Sequence, residues 1–249
     1  MTNKHAINKQ FTNFAFTLAE TLIVMGIIGV VAALTLPNLN SSTGGKEKVA
    51  KLQKIYSNLN DAYGRAISVY GPISDWFGGD SSASAYSTRV ANRMIDFLKV
   101  SKNCGYTTSN NACFFNDILS QSGGYNIFLS DGAGISIRSS GNTCSNCAAD
   151  GISGVPENCV YGSIYADIDG PNKGKNQGGV DIFQFYISKD GIIPAGGPND
   201  VDTNTDVGLH QNCIGSGESW CATGFVLHAG NMEHLKCGNS LGWSKTTCK

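Results

Sequence analysis

Few residues in this chain have the type and spacing to do chemistry, and they fall in three places. The first is Glu20, a lone carboxylate in the otherwise apolar run FTLAETLIVMGIIGVVAALTL at residues 16–36. An acid within an apolar helix costs on the order of 2.5–3.5 kcal/mol to place at membrane depth, so it needs a partner cation there. The second is the loop Asp167-Ile168-Asp169-Gly170-Pro171-Asn172, which runs through Gly, Asn and Lys residues to Asp181. Carboxylate and amide oxygens on a tight loop suit calcium, a hard cation that takes oxygen ligands. Asp167, Asp169 and Asp181 are therefore candidate calcium ligands, although the loop lacks the EF-hand spacing. The competing reading is a turn built by Asp and Asn.

The third place is the cysteine set. All nine cysteines lie between Cys104 and Cys248. Disulfides persist in oxidising compartments, so this points to an exported C-terminal part. Cys144 and Cys147 form a CxxC with Cys159 downstream. No second CxxC or His pair at zinc spacing accompanies it, and it sits in a loop rather than at a helix start. Structural disulfides are the expectation. Cys104 with Cys113, and Cys213 with Cys221, are candidates for local loops. The spacing of these and of Cys237 and Cys248 leaves the connectivity open, and the odd count leaves one thiol free or shared between chains. The four histidines form no HExxH, and there is no GxSxG and no P-loop, so the sequence presents no catalytic constellation.

The elements that must position these residues start with the N-terminus. The first 15 residues, MTNKHAINKQFTNFA, carry Lys4 and Lys9 and no acid. The 21 residues that follow would span roughly 30 Å as a helix, the thickness of a bilayer core. The basic flank predicts a cytoplasmic N-terminus and an extracytoplasmic bulk. The run is longer than the core of a secretory signal peptide, and Pro37-Asn38-Leu39 is a poor signal-peptidase site. Gly26, Gly29 and Ala33 suit close helix approach. If the chain were cut between Ala15 and Phe16, the new amine at Phe16 of a neighbouring copy would be a cation for Glu20.

The segment Ala15-Phe16-Thr17-Leu18-Ala19-Glu20 closely resembles the processing site of type IV prepilins and type II secretion pseudopilins. The resemblance implies removal of residues 1–15 by a prepilin peptidase that also methylates Phe16. It implies an assembly role for Glu20, the fifth residue after the cut, and a helix-bending role for Pro37. Ala15 stands where the family usually has Gly. The resemblance is specific from residue 1 to about 40. It implies as partners other pilin or pseudopilin subunits, an inner-membrane assembly platform and membrane lipid. It places the chain in the bacterial inner membrane as a single-pass protein, then in a pilus or pseudopilus. A membrane-anchored extracytoplasmic enzyme or ligand-binding domain is the alternative. The large exported part points to a minor or tip subunit.

Beyond the apolar run, NLNSSTGG predicts an interruption at Gly44-Gly45. Residues 46–70 then carry an apolar stripe at helical spacing: Val49, Leu52, Tyr56, Leu59, Tyr63, Ala66 and Tyr70. Residues 86–100 predict a second helix. YNIFLSDG and GISIRSSG predict a hairpin about Asp131-Gly132. SIYADIDG, VDIFQFYISKDG and Ile192-Ile193 predict further strands, and 218–230 a short helix. The expected fold is α+β and pilin-like: a long N-terminal membrane-spanning helix packed on an antiparallel sheet, with a loop-rich, disulfide-containing C-terminal region. The expected organisation is a leader at 1–15, a transmembrane helix at 16–37, a linker and amphipathic extension at 38–70, and a globular domain at 71–249. Net charge is −1 with 15% charged residues, so phosphate-driven nucleic-acid binding is not indicated.

Overall fold

The computed structural model describes residues 17–79, 81–107, 123–139, 141, 160–198, 205–215 and 219–249, with the side chains of 32–43, 206–207 and 211–212 outside that description. The chain divides into two compact units, Met1–Gly44 and Gly45–Lys249. Helix α1 spans Leu18–Tyr70.

The expected fold class requires a correction. Among the described residues, no helix is long and apolar enough to cross a membrane, so the membrane-spanning apolar helix is not seen. The apolar side chains that are described run from Leu18 to Val31, a rise of about 21 Å at 1.5 Å per residue, against roughly 30 Å of hydrocarbon. A second correction concerns Gly44-Gly45, which do not interrupt α1. Glycine costs about 1 kcal/mol relative to alanine within a helix. That is small beside the packing that holds the helix from Val49 onward.

In the second unit, α1 buries Val49, Leu52, Ile55, Leu59, Ala62, Tyr63 and Ala66. The stripe read from sequence is thus widened by Ile55 and Ala62. Tyr56 is partly buried and stacks on Phe185 at 5.7 Å between ring centroids. Each fully buried aliphatic side chain contributes about 1.5–3 kcal/mol, so this face anchors the domain.

A 3-10 turn, Ile73–Phe77, inserts Trp76 into the same core. Helix α2 follows at Ala83–Ile95, started by Ser82, whose hydroxyl accepts the Ala85 N–H at 3.2 Å. It ends earlier than the sequence pattern predicts, because Val100 opens a strand that the pattern missed.

That strand is β1 (Val100–Thr107). The others are β2 (Gly124–Leu129), β3 (Gly134–Arg138), β4 (Val160–Asp167), β5 (Ile182–Ser188) and β6 (Ile192–Pro194). They form one antiparallel sheet in the order β1 to β6. Its inner face presents Ile127, Ile135, Ile137, Ile164, Phe183, Phe185 and Ile187 to α1 and α2. β1 escaped detection because it is an irregular strand with two register shifts and little apolar alternation.

The C-terminal region packs as short helices: α3 (Asp206–Leu209) running into a π-helical turn at His210–Ile214, then α4 (Ala222–Ala229) and α5 (His234–Cys237). Leu209, Ile214, Ala222, Phe225 and Leu241 form its own small core. Disulfides Cys213–Cys221 and Cys237–Cys248 tie it together.

Candidate functional site

Two places in the molecule carry geometry that asks for something from outside. The first is the start of α1. Thr17 and Glu20 form a reciprocal cap: the Thr17 N–H and hydroxyl each donate to Glu20 Oε2 at 3.0 Å, and the Glu20 N–H donates to the Thr17 hydroxyl at 3.2 Å. This capping box satisfies orphan donors of the first helical turn. Glu20 therefore has a local role that the apolar run alone did not suggest. Ala15 and Phe16 lie outside the described residues. Pro37 lies in the interior of α1, where it removes one backbone donor.

From Leu18 to Val31, the large apolar side chains are exposed, from 53% at Val24 to 81% at Leu18. Apolar residues occupy all sides of this stretch rather than one stripe. Ile23, Ile27, Val30 and Val31 rim a shallow apolar hollow at Gly26. Monomeric proteins rarely expose contiguous apolar surface on this scale, and such surface marks an interaction site.

The second place is the loop joining β4 to β5. Asp167 ends β4 opposite Ile182, the first residue of β5. The Asp167 side chain is fully buried, and its Oδ1 accepts N–H donors from Asp169 at 3.3 Å and Gly170 at 2.9 Å. Asp181 is also fully buried. Its carboxylate accepts the backbone N–H groups of Lys175 (2.6 Å), Asn176 (3.1 Å) and Gln177 (2.6 Å). Asp181 thus shapes the loop and has its charge met by backbone.

Asp167 and Asp169 are different. Asp167 Oδ2, Asp169 Oδ1 and Asn176 Oδ1 are buried with no hydrogen-bond partner. A buried oxygen without a donor is costly. Burial pushes the Asp167 carboxyl well above its usual range, and the neighbouring Asp169 carboxylate adds to the rise. Gly174, at φ +71°, passes the backbone between the acids. A Cβ there would sit 2.7 Å from Asp169 Oδ2 and closer still to Asp181 Oδ2.

The oxygen-only character of Asp167, Asp169 and Asn176 fits a hard cation. The sequence named Asp181 as a third ligand, but its oxygens are taken by backbone donors; Asn176 leaves an oxygen open instead. Among the described residues, no group of three or more His, Cys, Asp or Glu is arranged to hold a metal. Two carboxylates and an amide are the most this loop offers. Asn176 was legible only as one polar loop residue among several. Its positive φ of 50° and its bond to the Pro171 carbonyl (2.9 Å) set it apart in three dimensions.

Each of the three described histidines contacts a backbone carbonyl. His234 is buried, and its Nε2 lies 2.8 Å from the Gly179 carbonyl, so Nε2 carries the proton. Burial lowers its pKa and favours the neutral ring. This bond fastens α5 to the end of the acidic loop. His210 and His228 contact the carbonyls of Leu241 and Trp243. Cys104, on β1, is disulfide-bonded. Cys113, Cys144, Cys147 and Cys159 lie outside the described residues.

No family model matches this chain, and neither a curated protein nor a solved structure matches it.

Proposed function

We propose that this chain is a structural subunit of an extracytoplasmic filament of the type IV pilus or type II secretion pseudopilus kind, and not an enzyme. The single observation that carries the reading is the all-round exposed apolar stretch Leu18–Val31 behind an acid at Glu20. Packing that stretch among copies of itself would remove it from water. Each Å² of apolar surface so buried favours assembly by about 25 cal/mol. The resemblance of Ala15–Glu20 to a prepilin processing site supplies the route. A peptidase frees Phe16, and the new amine of one subunit meets Glu20 of the next. The disulfides of the C-terminal region support an oxidising location for the domain.

On the same reading, calcium is held by Asp167, Asp169 and Asn176, and when bound it supplies the positive charge that their buried oxygens lack. The residues themselves fasten the β4–β5 loop, with Asp181 folding it from the other side.

Protein recovered from cells that carry its own export machinery tests the proposal by intact mass. The expected N-terminus is methylated Phe16. A chain that keeps Met1 would falsify the processing step and the assembly route with it.

A further inference from the structure

The chain as a whole is near neutral, with a net charge of −1, but lysines gather at one end of its second unit. That unit begins at Gly45, where an added Cβ would lie 3.8 Å from the Met232 side chain. Three segments are tied together around this point. Lys48 Nζ donates to the Val180 carbonyl at 3.0 Å, which brings in the end of the β4–β5 loop that carries Lys173 and Lys175. His234 Nε2 donates to the Gly179 carbonyl at 2.8 Å, which brings in α5 with Lys236. Asn231 Nδ2 donates to the Thr246 carbonyl at 3.0 Å, which brings in Lys245 next to it. Lys46 lies in the first turn of α1 within this unit.

Lys46, Lys173, Lys175, Lys236 and Lys245 are all exposed. Among the described residues, none of these five ammonium groups makes an ion pair. The acids of the same end are engaged elsewhere. Glu47 pairs with Lys51 at 2.9 Å, and the Glu233 carboxylate accepts the Cys248 N–H. Asp167 and Asp181 are buried, and Asp181 is met by backbone donors. The lysines therefore present a positive surplus to solvent, and an anionic partner would relieve their mutual repulsion.

We infer that this end of the domain docks on an anionic phospholipid surface, with the five lysines meeting lipid phosphates. All five cations are lysines and none is an arginine. A lysine is a mobile point charge, which suits a fluid layer of phosphates, whereas arginine suits a fixed bidentate partner. Ahead of Gly45, the same chain exposes the apolar stretch Leu18–Val31. A bilayer offers acyl chains to that stretch and phosphates to the lysines, while an acidic protein offers only charge. Each lysine close to an anionic membrane surface strengthens binding about fivefold, and salt screens the effect.

The test is equilibrium binding of the full chain, diluted from neutral detergent, to two kinds of vesicle. One kind is pure phosphatidylcholine and the other is phosphatidylcholine mixed with phosphatidylglycerol. The apolar stretch contributes to both, so the ratio of the two affinities isolates the lysines. The expected preference for the mixed vesicles is about twentyfold or more at low salt, and it should vanish at about 1 M salt, where the Debye length is about 3 Å. The surface pair Lys173→Gln and Lys175→Gln should lower the preference about tenfold or more. Lys189→Gln serves as the control. Lys189 is exposed, and its carbonyl lies 3.3 Å from the Tyr63 hydroxyl, about 27 Å along α1 from Gly45; its substitution should leave the preference unchanged. Equal affinity for both vesicles, a preference that survives high salt, or equal losses from the loop pair and from Lys189→Gln would overturn the inference. Tighter binding to polyglutamate than to the mixed vesicles at equal charge concentration would also overturn it, and would assign the lysines to an acidic protein. The vesicle ratio does not depend on cleavage before Phe16, so this inference and the filament reading can fail separately.

Discussion

Helix α1 contains two stretches that use apolar residues in opposite ways. From Val49 to Ala66, they recur at helical spacing and are buried in the domain's own core. From Leu18 to Val31, they occupy all sides and remain exposed. One stretch states its own solution, since a stripe can be satisfied by one partner surface. The other cannot be satisfied from a single direction, so its environment must be supplied by several neighbours. The proposed filament is such an environment.

The comparison can be broken most sharply by truncating one residue in each stretch. Leu59→Ala in the buried stripe should cost about 2–5 kcal/mol of domain stability, read by denaturant unfolding. Ile27→Ala should leave that unfolding midpoint unchanged. A matching loss at Ile27 would mean that the two stretches do not differ as described.

The next effect lies in the C-terminal region, whose small core relies on covalent ties. Replacing both Cys237 and Cys248 with Ser should cost about 2–4 kcal/mol. The loss should appear as early protection loss in α4 and α5 by hydrogen exchange, with the sheet following later.

A third effect concerns the acidic loop and pH. The Asp167 carboxyl rises from its ordinary 3.8 to about 8. The folded state therefore holds a proton that the unfolded chain releases, and stability falls as pH rises from about 4 to about 8. Calcium should offset that fall, with a benefit that grows toward pH 8. Asp167→Asn should raise the midpoint at pH 8 in chelator by a few degrees, on the order of 2–4 °C per kcal/mol, and should abolish the calcium response. A calcium-insensitive wild type would remove calcium from the account.

The smallest stability effect is the capping box. Thr17→Ala should fray the first turn of α1, at about 0.5–2 kcal/mol, seen as a slight loss of helical signal.

Much of the fold is visible in local pattern. The 46–70 stripe, the hairpin at Asp131-Gly132 and strands β4 and β5 announce themselves by period and turn residues. β1 does not, because an irregular strand with two bulges and the run Ser101-Lys102-Asn103 has no alternation to read. The continuity of α1 through Gly44-Gly45 was also hidden, since local propensity is outweighed by packing at a distance. At the acidic loop, the sequence shows the three aspartates but not their division of labour. Which carboxylate faces backbone donors depends on where Lys175, Asn176 and Gln177 turn, and only tertiary structure sets that. The mutual bonding of Thr17 and Glu20 is a pattern that sequence does carry, S/T-x-x-E before an apolar run.

That capping box sets up the most direct test of the central claim, which is that Glu20 works between subunits and not only within its own helix. Thr17→Ala and Glu20→Ala both destroy the cap, but only the second removes the carboxylate. Their incorporation into filaments should be compared by quantitative immunoblotting of sheared filament fractions. The account predicts near-normal incorporation of Thr17→Ala and loss of Glu20→Ala from the filament fraction. Normal incorporation of Glu20→Ala, or equal loss of both variants, would contradict it.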